Sequence, residues 1–211
     1  MPRYLTDQDI ADFRAELCKV ATERFARFGY EGVTMRQLAE ALGCSPKTPY
    51  RYFKDKADIL ATVRAEAFAR FADALETAAM KGASPMDRAR LVGGAYLDFA
   101  TRHPHAYRIM FEIDQPIDDS HPDLLREATR ARGFITRQAE DMVGSGIIEV
   151  DPLMFGWAMW AATHGIVMLQ QAGMLQNGPD HRALAGFAGG LMFAGAGRAS
   201  AKPTARMRKK K

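Results

Sequence analysis

Six side chains able to hold a nucleic acid crowd into eight residues of this 211-residue chain: Lys47, Thr48, Tyr50, Arg51, Tyr52 and Lys54. Ammonium and guanidinium groups neutralise phosphates, and hydroxyls and phenols donate to phosphate oxygens. Arg and Lys also reach acceptors on base edges. Between Arg36 and Lys56 there are five basic residues against two acids, Glu40 and Asp55. That local balance says more than the net charge of +4. Seven Lys or Arg lie in residues 198–211, and without them the body carries 22 basic against 25 acidic residues. The high isoelectric point is therefore largely a property of the tail.

A second group of chemically capable residues lies near the C-terminus. Trp157, Ala161, His164 and Met168 fall at i, i+4, i+7 and i+11, and Trp160 and His164 are i, i+4 neighbours. One helix face then carries aromatic, imidazole and thioether groups. Nine of the twelve methionines lie between Met80 and Met192, and methionine suits adaptable binding surfaces. The pattern reads as an apolar pocket with a few polar points, or as plain core. His164 has three readings: a satisfied structural histidine, a hydrogen-bonding pocket lining, or a metal or catalytic group. The third lacks companions. His103, His105 and His121 do not have the spacing of a zinc set. There is no Ser-His-Asp order, nucleophile elbow, glycine-rich phosphate loop or pair of carboxylates in apolar surroundings. No catalytic residue, metal or cofactor is expected, and the chain does not read as an enzyme. Cys18 and Cys44 imply no disulfide framework. Both read as small buried hydrophobes, with redox sensing at Cys44 as the other reading.

Helices must position these groups. Apolar residues at Met35, Leu38, Ala39 and Leu42 have helical spacing and stop at Gly43, suited to the left-handed backbone that ends a helix. Ser45 and Pro46 read as N-cap and first position of a new helix. Two short helices at a tight turn make a helix-turn-helix, whose second helix enters the DNA major groove. Around it the chain reads as nearly all helix. A first helix runs from about Asp7 to Phe28 and a long one from about Lys56 to Met80. Ser84-Pro85 opens another that His103-Pro104 breaks, and a short one follows over 105–113. Residues 114–122 are a loop. Further helices span Asp123 to Val143, Asp151 to Gln171 and Leu184 to Ala196. This gives an all-α fold of about nine helices. The most apolar C-terminal run, Ala183 to Gly197, would be about 22 Å long as a helix, short of the roughly 30 Å of a bilayer core. No membrane span and no signal peptide are expected, and the setting reads as cytoplasmic and reducing.

In the last helix Gly186, Gly190 and Ala194 fall at i, i+4 and i+8, with Gly189, Phe193 and Gly197 one face over. Glycine inside a helix costs up to about 1 kcal/mol against alanine. Its repetition needs an offset, and close approach of another helix supplies one, within the subunit or across a dimer.

Residues 21–60 resemble the N-terminal domain of the tetracycline-repressor (TetR) family of transcriptional regulators. The likeness runs through Ala21, Phe25, Gly29-Tyr30, Thr34-Met35-Arg36, Leu38-Ala39, Leu42-Gly43, Cys44-Ser45, Tyr50-Arg51-Tyr52-Phe53, Lys56 and Ile59-Leu60. Pro49 departs from it, standing at or near a position where the family has a bulky apolar residue. A proline there deletes the hydrogen bond to the Ser45 carbonyl and pushes Thr48 away from helical angles, so a distorted first turn is expected. Trp160 followed by His164-Gly165, with Pro104, Tyr107, Met110 and Phe111 upstream, resembles a regulatory-domain subclass of the family marked by Trp and His-Gly.

The resemblance implies a three-helix DNA-binding domain over residues 1–64, a ligand-binding and dimerisation domain over 65–198, and a disordered basic tail over 199–211. It implies a ligand-responsive regulator, a repressor on a palindromic double-stranded DNA operator, released by a small mostly apolar effector. Thr34, Tyr50, Tyr52 and Lys56 are expected on phosphates. Arg36, Lys47 and Thr48 are expected on base edges, with Arg51 beside them and Ser45 at the helix start. Phe99, Tyr107, Phe111, Trp157, Trp160, His164 and Met168 are expected to line the ligand site. Family members dimerise through a four-helix bundle of the last two helices, which assigns Gly186, Phe187, Gly190, Leu191 and Ala194 to a homodimer interface. A constitutive or architectural DNA-binding protein, whose second half only dimerises, is the rival reading; ligand-dependent release of DNA separates the two.

Overall fold

The computed structural model describes residues 6–197, so the expected basic tail over 199–211 lies outside the described residues. Nine α-helices and one 3-10 turn occur among them, with no strand. Helix α1 is Asp7–Phe28, opened by a capping box in which the Thr6 hydroxyl accepts from the Asp9 N–H and the Asp9 carboxylate accepts from the Thr6 N–H. Helix α2 is Met35–Ala41, with the same device between Thr34 and Gln37. The 3-10 turn Pro49–Arg51 follows, then α3 Lys56–Ala79, α4 Pro85–Arg102 and α5 Pro104–Phe111. Helices α6 Pro122–Arg132, α7 Phe134–Gly144, α8 Pro152–Gln171 and α9 His181–Ala196 complete the chain.

The count of nine matches expectation through two offsetting differences. The segment after Ser45 forms no α-helix. The single helix expected over Asp123 to Val143 is two, interrupted at Gly133, where the missing side chain makes helix continuation about 1 kcal/mol less favourable than alanine would. Helix α9 also begins earlier than Leu184, because the Asp180 carboxylate accepts from the N–H groups of Arg182 and Ala183.

The described residues pack as two compact units: those up to Thr77 with Asp98–Arg132, and Ala78–Leu97 with those from Gly133 onward. In the first unit α1 packs on α2 and on α5. Leu17, Phe25, Leu38, Ile59, Leu75, Tyr107, Ile109 and Leu124 are fully buried there. Arg130 on α6 pairs with Asp73 at 2.7 Å and with Glu76, tying α6 to α3.

In the second unit α8 packs on α7 and α9, and Phe155 meets Phe193 at 5.3 Å between ring centroids. Arg88 on α4 reaches Asp141 on α7 at 3.2 Å. Helix α8 contains no Asp, Glu, Lys or Arg. By length and composition only, it is long and apolar enough to cross a membrane, whereas no span was expected from the sequence, where the Ala183 to Gly197 run was weighed. At Gly156 the α7 and α8 backbones touch: a Cβ there would stand 2.1 Å from the Ile135 carbonyl oxygen. Gly156→Ala must therefore force the two helices apart, at about 1 to 3 kcal/mol or more. Urea unfolding checks this, and an alanine variant of wild-type stability would disprove the close approach.

Candidate functional site

The best-formed element is the turn after α2. Gly43 takes φ 64°. Its N–H donates to the Glu40 carbonyl at 3.1 Å, and the Cys44 N–H donates to the Ala39 carbonyl at 3.0 Å. This is the Schellman pair of bonds that closes a helix on a left-handed residue. The chain then turns sharply and brings Ser45, Pro46, Lys47, Tyr50 and Arg51 to the surface.

The element expected as a recognition helix is a run of three-residue turns. Thr48 N–H donates to the Ser45 carbonyl at 2.9 Å, Arg51 N–H to Thr48 at 3.0 Å and Tyr52 N–H to Pro49 at 3.0 Å. Pro49 has no N–H to give the Ser45 carbonyl, so the donor three residues on serves it instead. The expectation that Thr48 leaves helical angles is corrected: it sits at φ −62°, ψ −46°. The bias before proline is outweighed by that Ser45–Thr48 backbone bond, by the approach of the two hydroxyls to 3.2 Å, and by full burial of the Pro49 ring. Pro49 thus fills the place of a bulky core residue while shortening the helix.

Thr34, Arg36, Ser45, Lys47, Tyr50 and Arg51 are exposed, and Thr48, Tyr52 and Lys56 are half-buried. Arg36 pairs with Glu40 at 2.8 Å. Tyr52 stacks on Phe13 of α1 at 4.5 Å. Lys56 is the most engaged: its ammonium donates to the Tyr30 carbonyl at 2.8 Å, lies 3.9 Å above the Tyr30 ring, and stands 3.9 Å from the Glu31 carboxylate. It anchors the loop before α2. Burial, then the charges of Asp55 and Glu31, push the Tyr30 phenol above its usual value.

The sequence reading missed Arg14. Its guanidinium donates to the Tyr52 carbonyl and lies 4.2 Å over the Phe53 ring, clamping the end of the turn to α1. Its signal was an arginine one residue after Phe13, the ring that takes Tyr52. Cys18 on the same helix is buried, and burial, with Glu66 adding to it, pushes its thiol up to about 12. Cys44 is half-exposed.

The seven residues expected around a ligand fall into two groups, one in each unit. In the first, Phe99 meets Phe71 edge-on at 5.1 Å, Phe111 meets Phe68 at 5.8 Å, and Tyr107 lies 4.9 Å from Phe111. In the second, Trp160 sits between Trp157 and His164, at 5.3 Å from each. Met168 continues their helix, half-buried. His164 Nδ1 lies 3.4 Å from the Tyr96 hydroxyl. Tyr96 was missed, although it is i, i+3 to Phe99 on the same helix and is buried. A groove of about 390 Å³ in the first unit contains none of the seven. No group of three or more His, Cys, Asp or Glu able to hold a metal occurs among the described residues.

Gly186, Phe187, Gly190, Leu191 and Ala194 are all exposed, with Phe187 at 65% and Leu191 at 60%. A Cβ added at Gly186 or Gly190 would meet nothing within 4 Å. Close packing inside the chain therefore does not account for these two glycines. Leu153, Met154, Trp157 and Leu169 are exposed on α8.

Two family models match. One described as bacterial regulatory proteins, tetR family, covers residues 17–63. One described as the tetracyclin repressor-like C-terminal domain covers residues 89–188. No curated protein matches the chain. Among solved structures, a bacterial regulatory protein in the tetR family from Rhodococcus RHA1 is similar with TM-score 0.71 and 22% identity, covering 87% of this chain and 96% of that one. The transcriptional regulator FadR from Bacillus subtilis, in complex with stearoyl-CoA, is similar with TM-score 0.71 and 19% identity, over 86% of this chain and 98% of that one. The TetR family transcriptional regulator PfmR from Thermus thermophilus has TM-score 0.68 and 19% identity, over 84% and 97%. At these identities the likenesses establish the fold.

Proposed function

This chain belongs to the tetR family of bacterial regulatory proteins, a transcriptional regulator rather than an enzyme, and from that premise we propose that it is a ligand-responsive repressor. It binds a palindromic operator as a homodimer and works in the cytoplasm, where that DNA is. A small, mostly apolar molecule releases it. The observation that carries the DNA reading is the Schellman turn that presents Lys47, Tyr50 and Arg51 together on the surface. Thr34, Tyr50, Tyr52 and Lys56 hold phosphates; Arg36, Lys47 and Thr48, with Arg51, address base edges, and Ser45 opens the turn. The exposed stripe of Gly186, Phe187, Gly190, Leu191 and Ala194 supports α8 and α9 as the dimer faces. The aromatic groups around Phe111 and Trp160 support an apolar effector, and the stearoyl-CoA held by the Bacillus regulator offers one chemical precedent.

Selection of duplexes by the purified protein, followed by release of the selected operator by metabolites that raise its melting temperature, tests the whole reading. Linkage requires operator and effector to weaken each other by the same factor. Equal effector affinity for free and operator-bound protein would leave a regulator without a ligand switch.

Substitutions within the turn should separate its roles. Lys47→Ala is expected to change which operator bases matter. Lys56→Ala is expected to weaken every duplex alike and to reduce the salt slope by about 1. It should also loosen the loop before α2, since its Tyr30 contacts go. A Lys56→Ala protein with an unchanged salt slope would leave Lys56 the anchoring role alone.

A further inference from the structure

Arg64 lies on the buried side of α3 and is 3% exposed. A guanidinium keeps its charge in proteins and offers five N–H donors. Only one is used among the described residues: Nη1 donates to the Gln115 carbonyl at 3.0 Å. Nε is sealed from solvent with no partner. Burial, and after it the like charge of Arg132, hold the guanidinium below its ordinary pKa. The segment carrying Gln115 also contains Asp114, Asp118 and Asp119. None of them pairs with Arg64, and Asp118 accepts from Ser120 instead. A buried charge without a counter-charge is strongly unfavourable, and a native orphan of this kind calls for an explanation: strain, a functional role, or a water or ion at the site.

The geometry also says which part of the guanidinium is vacant. With Nη1 committed to Gln115, the free edge is the Nε–Nη2 fork, whose two parallel donors match the two oxygens of a carboxylate or phosphate. One helical turn further along α3, Phe68 meets Phe111, and Phe71 one turn later meets Phe99. Arg64, Phe68 and Phe71 are spaced four and three residues apart, so they share one face of α3. Arg64 is eight residues from the start of α3 at Lys56, about 12 Å along the helix.

We propose that the effector carries an anionic group, carboxylate or phosphate, on an apolar body, and that the Nε–Nη2 edge of Arg64 receives it while Arg132 adds attraction at longer range. The proposal rests on the reading of the chain as ligand-responsive and names the class of ligand. The counter-charge missing from the protein comes with the effector. Binding then acts on the helix that starts directly after the recognition turn.

The test compares the full-length wild type with Arg64→Met, Arg64→Lys and Arg132→Met by calorimetry and thermal unfolding. The probes are decanoate, decyl phosphate, 1-decanol and inorganic phosphate; the first two distinguish a carboxylate from a phosphate head. One of the two acids should bind the wild type about 10- to 100-fold more tightly than 1-decanol, the margin of a charge-assisted bond. Arg64→Met should erase that margin, and Arg64→Lys, which keeps the charge and loses the fork, should lose most of it. Arg132→Met should reduce it and make it less sensitive to salt. Unliganded Arg64→Met should melt no lower than the wild type, because it removes an unpaired buried charge. The proposal is overturned by equal binding of acid and alcohol, by a margin that survives Arg64→Met, or by absence of Arg64-dependent binding of all three anions. Operator release by 1-decanol without charge dependence would sink the anion site and leave the regulator reading standing. Acids that bind through Arg64 without altering operator affinity would do the reverse.

Discussion

Gly190→Leu is expected to give a folded monomer whose operator affinity is lower by about 10²- to 10⁴-fold, the avidity lost when two linked half-site contacts become one. Inside a single chain the substitution has room, since a Cβ at Gly190 meets nothing within 4 Å. The cost arises only where a second helix comes close. In the proposed dimer that helix belongs to another copy, and a leucine facing it would overpack the joint. Light scattering after size-exclusion chromatography reads the assembly, and a salt-matched binding assay reads the affinity. Circular dichroism at low concentration checks that the monomer keeps its helices. A Gly190→Leu protein that remains dimeric and binds normally would move the interface off this stripe.

Arg14→Ala is expected to weaken operator binding by about tenfold, although Arg14 need not touch DNA. Its guanidinium holds the Tyr52 carbonyl and covers Phe53. Together these contacts are worth about 1 to 2 kcal/mol at an exposed site. Without the clamp, the Pro49–Arg51 turn must be ordered on the DNA at the expense of binding, and 1.4 kcal/mol is a factor of ten. The loss should be similar for specific and non-specific duplexes, and the salt slope should stay near the wild-type value. A slope lower by about 1 would instead place Arg14 on a phosphate.

Local chemistry was legible in the sequence, and partners far along the chain were not. The α1 boundaries, the Gly43 turn, and the proline-led starts of α4 and α8 each depend on a few adjacent residues. A cap, a left-handed glycine and a proline act within one turn of helix. Pro49 was visible as a disturbance. What it produced depended on burial of its ring, which no local rule supplies. Lys56 was expected on a phosphate, and its anchoring contacts were not legible because Tyr30, its carbonyl and ring partner, lies 26 residues earlier. Nothing in the local sequence singles out Arg64, and only the fold puts it inside. The exposed stripe on α9 was legible because small residues at every fourth position leave a trace. The groups around Phe111 and Trp160 were expected to line one site; Phe111 packs in the first unit and Trp160 in the second.

The two thiols differ in a way that makes the protein its own reporter. Cys18 is buried, with its thiol pushed up to about 12, and at neutral pH the unreactive thiol form dominates. Cys44 sits half-exposed at the close of the Gly43 turn, immediately before the proposed DNA-reading segment. A maleimide fluorophore should therefore label the wild-type sequence at one position, without engineered cysteines. Its emission would follow operator binding and effector release in real time, and protection of Cys44 from the reagent by DNA would give a footprint of the protein to set beside that of the operator.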